Sequence, residues 1–173
     1  MNLADYIRTV PDFPIPGILF RDITPLLGNA KAFNQAVEAM SEPWQASGIE
    51  QVAAMEARGF LFGAAIAYRL DAGFVPVRKS GRLPWHTYSA EYTLEYRSDV
   101  LHIHQDAIQP GQRVLVVDDL IATGGTALAV VELVERLQGK VAGISFLIEL
   151  VDLKGRQLLD GYDVRSVIRF EGD

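Results

Sequence analysis

The stretch Val114-Leu-Val-Val-Asp-Asp-Leu-Ile-Ala-Thr-Gly-Gly-Thr126 decides how the rest of the chain is read. Four consecutive apolar residues, Val114–Val117, predict a buried strand that ends in the acid pair Asp118-Asp119. A turn rich in glycine and threonine follows, and the amphipathic run Ala127–Gln138 predicts a helix starting near Thr126. A strand, a glycine turn and a helix in that order present several backbone N–H groups at a helix N-terminus, where the dipole favours an anion. Gly124 and Gly125 let a ligand approach the backbone closely. No lysine follows the glycines, so the turn is not a Walker A loop. The carboxylates precede the anion nest, so the ligand expected here carries hydroxyls or a metal next to a phosphate. A ribose 5-phosphate meets that demand.

A second junction of the same kind lies upstream. Ile49–Met55 predicts a buried strand, Glu56-Ala-Arg-Gly59 a turn, and Phe60–Leu70 a buried helix. Arg58 opposes the dipole of that helix by about 0.3–1 kcal/mol unless an anion binds beside it. The alternative is that Arg58 pairs with Glu56 or another carboxylate. Gly73–Val77 predicts a short strand, and Arg78-Lys-Ser-Gly-Arg82 is a basic cluster in an acidic chain. The piece from Lys79 to Glu91 exceeds an ordinary connection and reads as a lid or binding loop. Tyr92–Tyr96 and Val100–His104 alternate as strands do.

The remaining elements fill in an α/β pattern. Leu3–Val10 predicts a short helix, Pro11–Gly17 a turn-rich connection, and Ala30–Met40 a helix after a turn at Thr24-Pro25. Gly139 is expected to cap the helix after the central turn. Ala142–Leu150 predicts a strand, Leu153–Leu159 a short helix and Val164–Phe170 a last strand. Strands alternating with helices imply a mainly parallel sheet, with ligands at the carboxyl ends of its strands. His102 and His104 share a strand face, and the reading preferred for them is an edge-strand surface rather than a metal site, since His86 is the only other histidine and cysteine is absent.

A chain of 173 residues is expected to form a single domain, residues 1–173, with a proper core. A net charge of −6 argues against a nucleic-acid partner and makes any positive site local. No apolar run approaches the roughly 20 residues of a membrane span. Met1–Val10 contains Asp5 and Arg8 and does not resemble a signal peptide. A cytoplasmic location is expected.

The central stretch resembles the phosphoribosyl-pyrophosphate (PRPP) motif of type I phosphoribosyltransferases: apolar residues, two acids, then Ala-Thr-Gly-Gly-Thr. Other segments narrow the resemblance to the members acting on adenine. Pro11–Leu26 is similar to their base-recognition segment, Ala57-Arg-Gly-Phe-Leu-Phe-Gly63 to their pyrophosphate-side loop, Arg78-Lys79 to the start of their mobile loop, Leu94-Glu-Tyr96 to its end, and Leu153-Lys-Gly-Arg156 to their C-terminal part. The similarity runs from about Tyr6 to about Leu159. It implies the type I phosphoribosyltransferase fold, a central mainly parallel sheet flanked by helices, with an N-terminal hood over about residues 1–30 and a mobile catalytic loop over about 79–95. It also implies transfer of the phosphoribosyl group of PRPP to adenine, giving AMP and pyrophosphate in purine salvage, with Mg²⁺ as cofactor and a homodimer as the assembly.

Residue by residue, the resemblance implies that Asp118 and Asp119 hold the ribose 2- and 3-hydroxyls. Ala122, Thr123, Gly124, Gly125 and Thr126 would wrap the 5-phosphate. Arg58, Arg78, Lys79 and Arg82 would neutralise pyrophosphate with Mg²⁺, which is held mainly through PRPP and has no dedicated protein ligand. Leu19, Phe20 and Arg21 would bracket adenine, and Glu95 would be the catalytic acid/base. Two positions depart from the family pattern: Trp85 and Arg97 stand where glycines are common, which stiffens or enlarges the lid region. The rivals are a phosphoribosyltransferase for another purine base and a non-catalytic PRPP sensor. A sensor is expected to lose the carboxylate or the basic lid and gain a domain, and this chain keeps both groups.

Overall fold

The computed structural model describes residues 1–94 and 97–172. Its strands are β1 Arg8–Pro11, β2 Leu19–Asp22, β3 Gln51–Met55, β4 Gly73–Lys79, β5 Thr87–Leu94, β6 Arg97–His104, β7 Arg113–Ile121, β8 Lys140–Leu150 and β9 Val164–Phe170. Its α-helices are α1 Thr24–Leu27, α2 Ala30–Ser41, α3 Arg58–Arg69 and α4 Gly125–Arg136. Among the described residues, seven strands form one sheet in the order β5-β6-β4-β3-β7-β8-β9. The β4-β3-β7-β8-β9 part is parallel, and β6 and β5 join antiparallel at one side. The fold is therefore α/β with a mainly parallel sheet, as expected.

The central strand shows why. Val114 and Val116 face one apolar cluster with Val130 and Val134 of α4, whereas Leu115 and Val117 face another with Phe62 and Ile66 of α3 and Met40 of α2. Alternate side chains of one strand thus feed both layers, and the continuous apolar run in the sequence is the trace of that double coverage. Each such side chain contributes about 1.5–3 kcal/mol by leaving water. The parallel order then places the carboxyl ends of β3 and β7, which are paired neighbours, at the same edge.

Several boundaries differ from those read in the sequence. The N-terminal helix is one turn of 3₁₀ helix, Leu3–Tyr6, after which the chain extends as β1 and pairs antiparallel with β2. That partner lies beyond a proline-rich connection, so no local periodicity announces it. Strand β7 does not end at the acid pair but runs on to Ile121, because Leu120 and Ile121 keep pairing with β8. Helix α4 ends at Arg136, and Gln138, not Gly139, takes the left-handed conformation (φ 64°). Gly139 is needed for space: a Cβ there would lie 2.9 Å from Ile108. Leu153–Leu159 is not one helix but two 3₁₀ pieces, Val151–Leu153 and Gly155–Leu159, parted by the left-handed Lys154 (φ 54°).

The second half of the expected loop over 79–95 carries a strand. Thr87–Leu94 pairs along its whole length with Arg97–His104, and the resulting hairpin docks on α4, where the Arg136 guanidinium lies 4.1 Å from the Tyr88 ring centroid. Strand β6 accordingly sits between β5 and β4, which corrects the edge-strand reading of its histidines. His102 instead bridges the two ends of the excursion, with Ser80 Oγ 3.0 Å from Nε2 and Thr87 Oγ1 2.9 Å from Nδ1.

Candidate active site

The pocket at the carboxyl edge of β3 and β7 has a volume of about 240 Å³. Its walls are the β3–α3 junction (Glu56, Ala57, Arg58) and the β7–α4 junction (Asp118 to Gly124, and Thr126). Among the described residues, no side chain caps α3 or α4. Helix α2, which does not face the pocket, has an ordinary cap: Asn29 accepts from the Ala32 N–H at 3.0 Å. The two uncapped helices therefore bring first-turn N–H groups and positive dipole ends to one cavity.

The turn before α4 is shaped by close backbone contacts. Gly124 is left-handed (φ 87°), and a Cβ on it would lie 2.4 Å from the Gly155 carbonyl oxygen. Only glycine satisfies both conditions. Gly125 does not line the cavity; its Cα faces the Thr93 carbonyl oxygen of the hairpin, which a Cβ would approach to 3.2 Å. On the other wall, a Cβ on Gly59 would lie 2.7 Å from Asp118 Oδ1, so the absence of a side chain lets α3 start against the acid pair.

The acid pair is held differently at its two members. Asp119 is 5% exposed, and its Oδ2 lies 3.0 Å from Arg58 Nε in an ion pair whose N–H is not aligned for a hydrogen bond. This resolves the sequence alternative for Arg58: it pairs with Asp119, not Glu56. Asp118 accepts from the Asp119 N–H at 2.8 Å. Burial first, and the adjoining Asp119 carboxylate second, push the Asp118 carboxyl well above the usual carboxylate range.

Glu56, which sequence reasoning treated only as a partner for Arg58, is the hub of the basic cluster. Its carboxylate accepts from the Lys79 N–H at 2.8 Å and from Arg78 Nε at 3.3 Å, and it pairs with Arg82. Burial pushes this carboxyl up, but the Lys79 amide and the two guanidinium groups outweigh it and hold it below the usual range. The Lys79 ammonium turns instead to Asp99, 3.4 Å away. No local pattern marks Glu56, because its partners lie 22 to 26 residues away.

The N-terminal residues reach the site unevenly. Leu19, Phe20 and Arg21 do not line the cavity. Phe20 approaches it through Arg58, whose Cζ lies 5.1 Å from the ring centroid. Arg21 points to the other face of β2, donating to Thr9 Oγ1 at 2.6 Å and stacking 4.0 Å from the Phe170 ring centroid, while Leu19 is exposed. Glu95 lies outside the described residues.

The comparisons with known proteins agree with this arrangement. The phosphoribosyl transferase domain family matches residues 29–170. The adenine phosphoribosyltransferase of Symbiobacterium thermophilum is 55% identical over 98% of this chain and 100% of its own length. Among solved structures, the adenine phosphoribosyltransferase of Rhodothermus marinus superposes with a TM-score of 0.93 at 53% identity, covering 97% of this chain and 96% of that one. That of Saccharomyces cerevisiae, solved with adenine and an imino-altritol bisphosphate, gives 0.90 at 41% identity, covering 95% and 96%. The two anion-ready turns, the acid pair between them and these full-length similarities lead to one conclusion: the chain belongs to the phosphoribosyltransferase family, in its adenine phosphoribosyltransferase branch.

Proposed function

We propose that this pocket transfers the 5-phosphoribosyl group of PRPP to adenine, giving AMP and pyrophosphate as a step of purine salvage. The observation that carries the reading is the pair of adjoining carboxylates set between two helix N-termini that no described side chain caps. An acid pair asks for hydroxyl donors, and the helix ends ask for anions. A phosphorylated ribose with a pyrophosphate at its anomeric carbon supplies both.

In this reading the ribose 2- and 3-hydroxyls donate to Asp118 and Asp119, which offsets the repulsion between the two carboxylates. The backbone N–H groups and hydroxyls from Ala122 through Thr126 donate to the 5-phosphate. Arg58, Arg78, Lys79 and Arg82 stabilise the charge that grows on the leaving pyrophosphate. Glu56 holds Arg78 and Arg82 beside the pocket until that charge arrives. The bond from the anomeric carbon to pyrophosphate breaks, the bond to adenine N9 forms, and the N9 proton passes to Glu95 as general base. Phe20 and Leu19 flank the base, and Arg21 fixes the strand that carries them. The mobile loop is assigned to about residues 79–95, with the hairpin closing over the turn to keep water from the anomeric centre.

Among the described residues, no group of three His, Asp or Glu side chains is placed to hold a metal ion. Mg²⁺ is assigned as cofactor on the resemblance, which has it held mainly through PRPP, and it would neutralise part of the pyrophosphate charge. A homodimer is assigned on the resemblance, supported by Leu61, Tyr68 and Phe74, which stay exposed on α3 and β4. No described helix is long and apolar enough to cross a membrane, and a cytoplasmic location is assigned on the sequence.

The test is a panel of purine bases with PRPP and Mg²⁺. AMP and pyrophosphate should form with adenine and not with hypoxanthine, guanine or xanthine. Turnover of another base in preference would reassign the specificity, and PRPP binding without nucleotide formation would identify a sensor.

A further inference from the structure

We propose that Arg156 is a positioning residue for the reaction: clamped by Glu149, it presses Gly155 against the phosphate turn and sets the shape of that turn without touching substrate. The inference rests on the assignment of Ala122–Thr126 to the 5-phosphate.

The loop that carries Arg156 begins where the turn begins. Glu149 on β8 is in register with Ile121, the last residue of β7. The chain then leaves the sheet through Val151–Leu153, and Lys154 adopts a left-handed conformation (φ 54°) that swings Gly155 back toward β7. Gly155 is buried. Its contacts with the turn are backbone on backbone: a Cβ on it would lie 2.3 Å from the Ala122 carbonyl oxygen, 2.9 Å from the Gly124 nitrogen and 3.0 Å from Ile121. The contact is mutual, since a Cβ on Gly124 would lie 2.4 Å from the Gly155 carbonyl oxygen.

Arg156 closes the loop on itself. Its Nε donates to Glu149 Oε1 at 3.0 Å and its NH2 to Glu149 Oε2 at 2.5 Å, a two-pronged grip on one carboxylate. Its NH1 donates to the Val164 carbonyl oxygen at 2.6 Å, and its NH2 also reaches Ser166 Oγ at 3.0 Å. Glu149 is 5% exposed, takes a further hydrogen bond from Ser166, and has Arg169 at 3.7 Å. Every one of these bonds points to β8 or β9, and Arg156 does not line the pocket. Its work is mechanical. Residues 149 to 156 form a short closed strap whose inner edge is Gly155, and the strap backs the turn on the side away from the ligand. A bidentate grip on a buried carboxylate suits that role because it fixes direction as well as distance. A binding turn needs such support, since backbone N–H groups that shift out of line lose their charge-assisted hydrogen bonds to the phosphate.

The experiment compares Arg156→Gln, Arg156→Lys and Glu149→Gln with the unaltered protein, using AMP, adenosine and pyrophosphate as binding probes and PRPP and adenine as substrates. Arg156→Gln should weaken AMP about tenfold and raise KM for PRPP by a similar factor, while adenosine and pyrophosphate affinities and kcat stay within about threefold. Arg156→Lys should recover only part of the loss, because an ammonium cannot make the fork. Glu149→Gln should reproduce the loss, and the double variant should be no worse than Arg156→Gln. Equal weakening of AMP, adenosine and pyrophosphate would mean a general structural role and overturn the proposal, as would unchanged AMP affinity. If Arg156→Gln does not fold, Glu149→Gln is read by the same criteria. Gly124→Ala serves as the control on the underlying assignment: if it leaves AMP affinity intact, the turn is not the phosphate site, whereas loss in Gly124→Ala without loss in Arg156→Gln refutes the strap alone.

Discussion

The two walls of the pocket are built by opposite means. Beyond its acid pair, the β7–α4 wall is made of backbone: a glycine turn with no side-chain cap, set against the Gly155 carbonyl behind it and the Thr93 carbonyl in front. The β3–α3 wall and the lid base are made of long charged side chains, with Arg78 and Arg82 on Glu56, Lys79 on Asp99 and Arg58 on Asp119. The first wall can hardly change shape, since close-packed backbone has few alternatives. The second can, because its cations sit at the ends of long, partly exposed side chains that can turn from their carboxylates to an incoming anion. The difference matches the reaction. The ribose phosphate stays on the enzyme from PRPP to AMP and needs a fixed seat, whereas pyrophosphate leaves and needs cations that can let go.

That contrast can be broken at several points. The largest effect is expected at the lid end, where Glu95→Gln should lower kcat by about 10² to 10⁴ while PRPP affinity changes little. An unchanged kcat, measured by steady-state turnover with adenine, would remove Glu95 from the chemistry. Asp118→Asn probes the fixed wall. It should weaken PRPP by about tenfold or more, because charge-assisted bonds to the ribose hydroxyls are lost. The same change should raise the melting temperature of the ligand-free protein near neutral pH. The sign follows from the raised carboxyl of Asp118: its favourable protonated form prevails at low pH and is lost as pH rises through the folded value, so ionisation costs stability above that point. The gain of Asp118→Asn should therefore vanish below about pH 4, and a gain that persists there would contradict the assigned cause.

What the sequence made legible divides along the same line. The fixed wall is written locally: the run Val114–Val117, the acid pair and the two glycines follow one another, and each is read from its own neighbours. The strand Val164–Phe170 was equally plain, for its apolar period is short-range. The side-chain wall is written across distance. Glu56 finds Arg82 over 26 residues, and β1 finds β2 across a proline-rich turn, so neither leaves a periodic trace. The backing of the turn by Gly155 was invisible for a different reason: a glycine needed for contact looks the same in sequence as a glycine needed for a bend.

The most direct test of this division of labour measures two ligands against two variants by calorimetry. Gly124→Ala should lose AMP affinity by tenfold or more and keep pyrophosphate affinity within about threefold. Replacing Arg78 and Arg82 together by alanine should do the reverse. If each variant weakens both ligands alike, the pocket does not separate a fixed phosphate seat from a releasable pyrophosphate seat, and the assignment of the two walls fails.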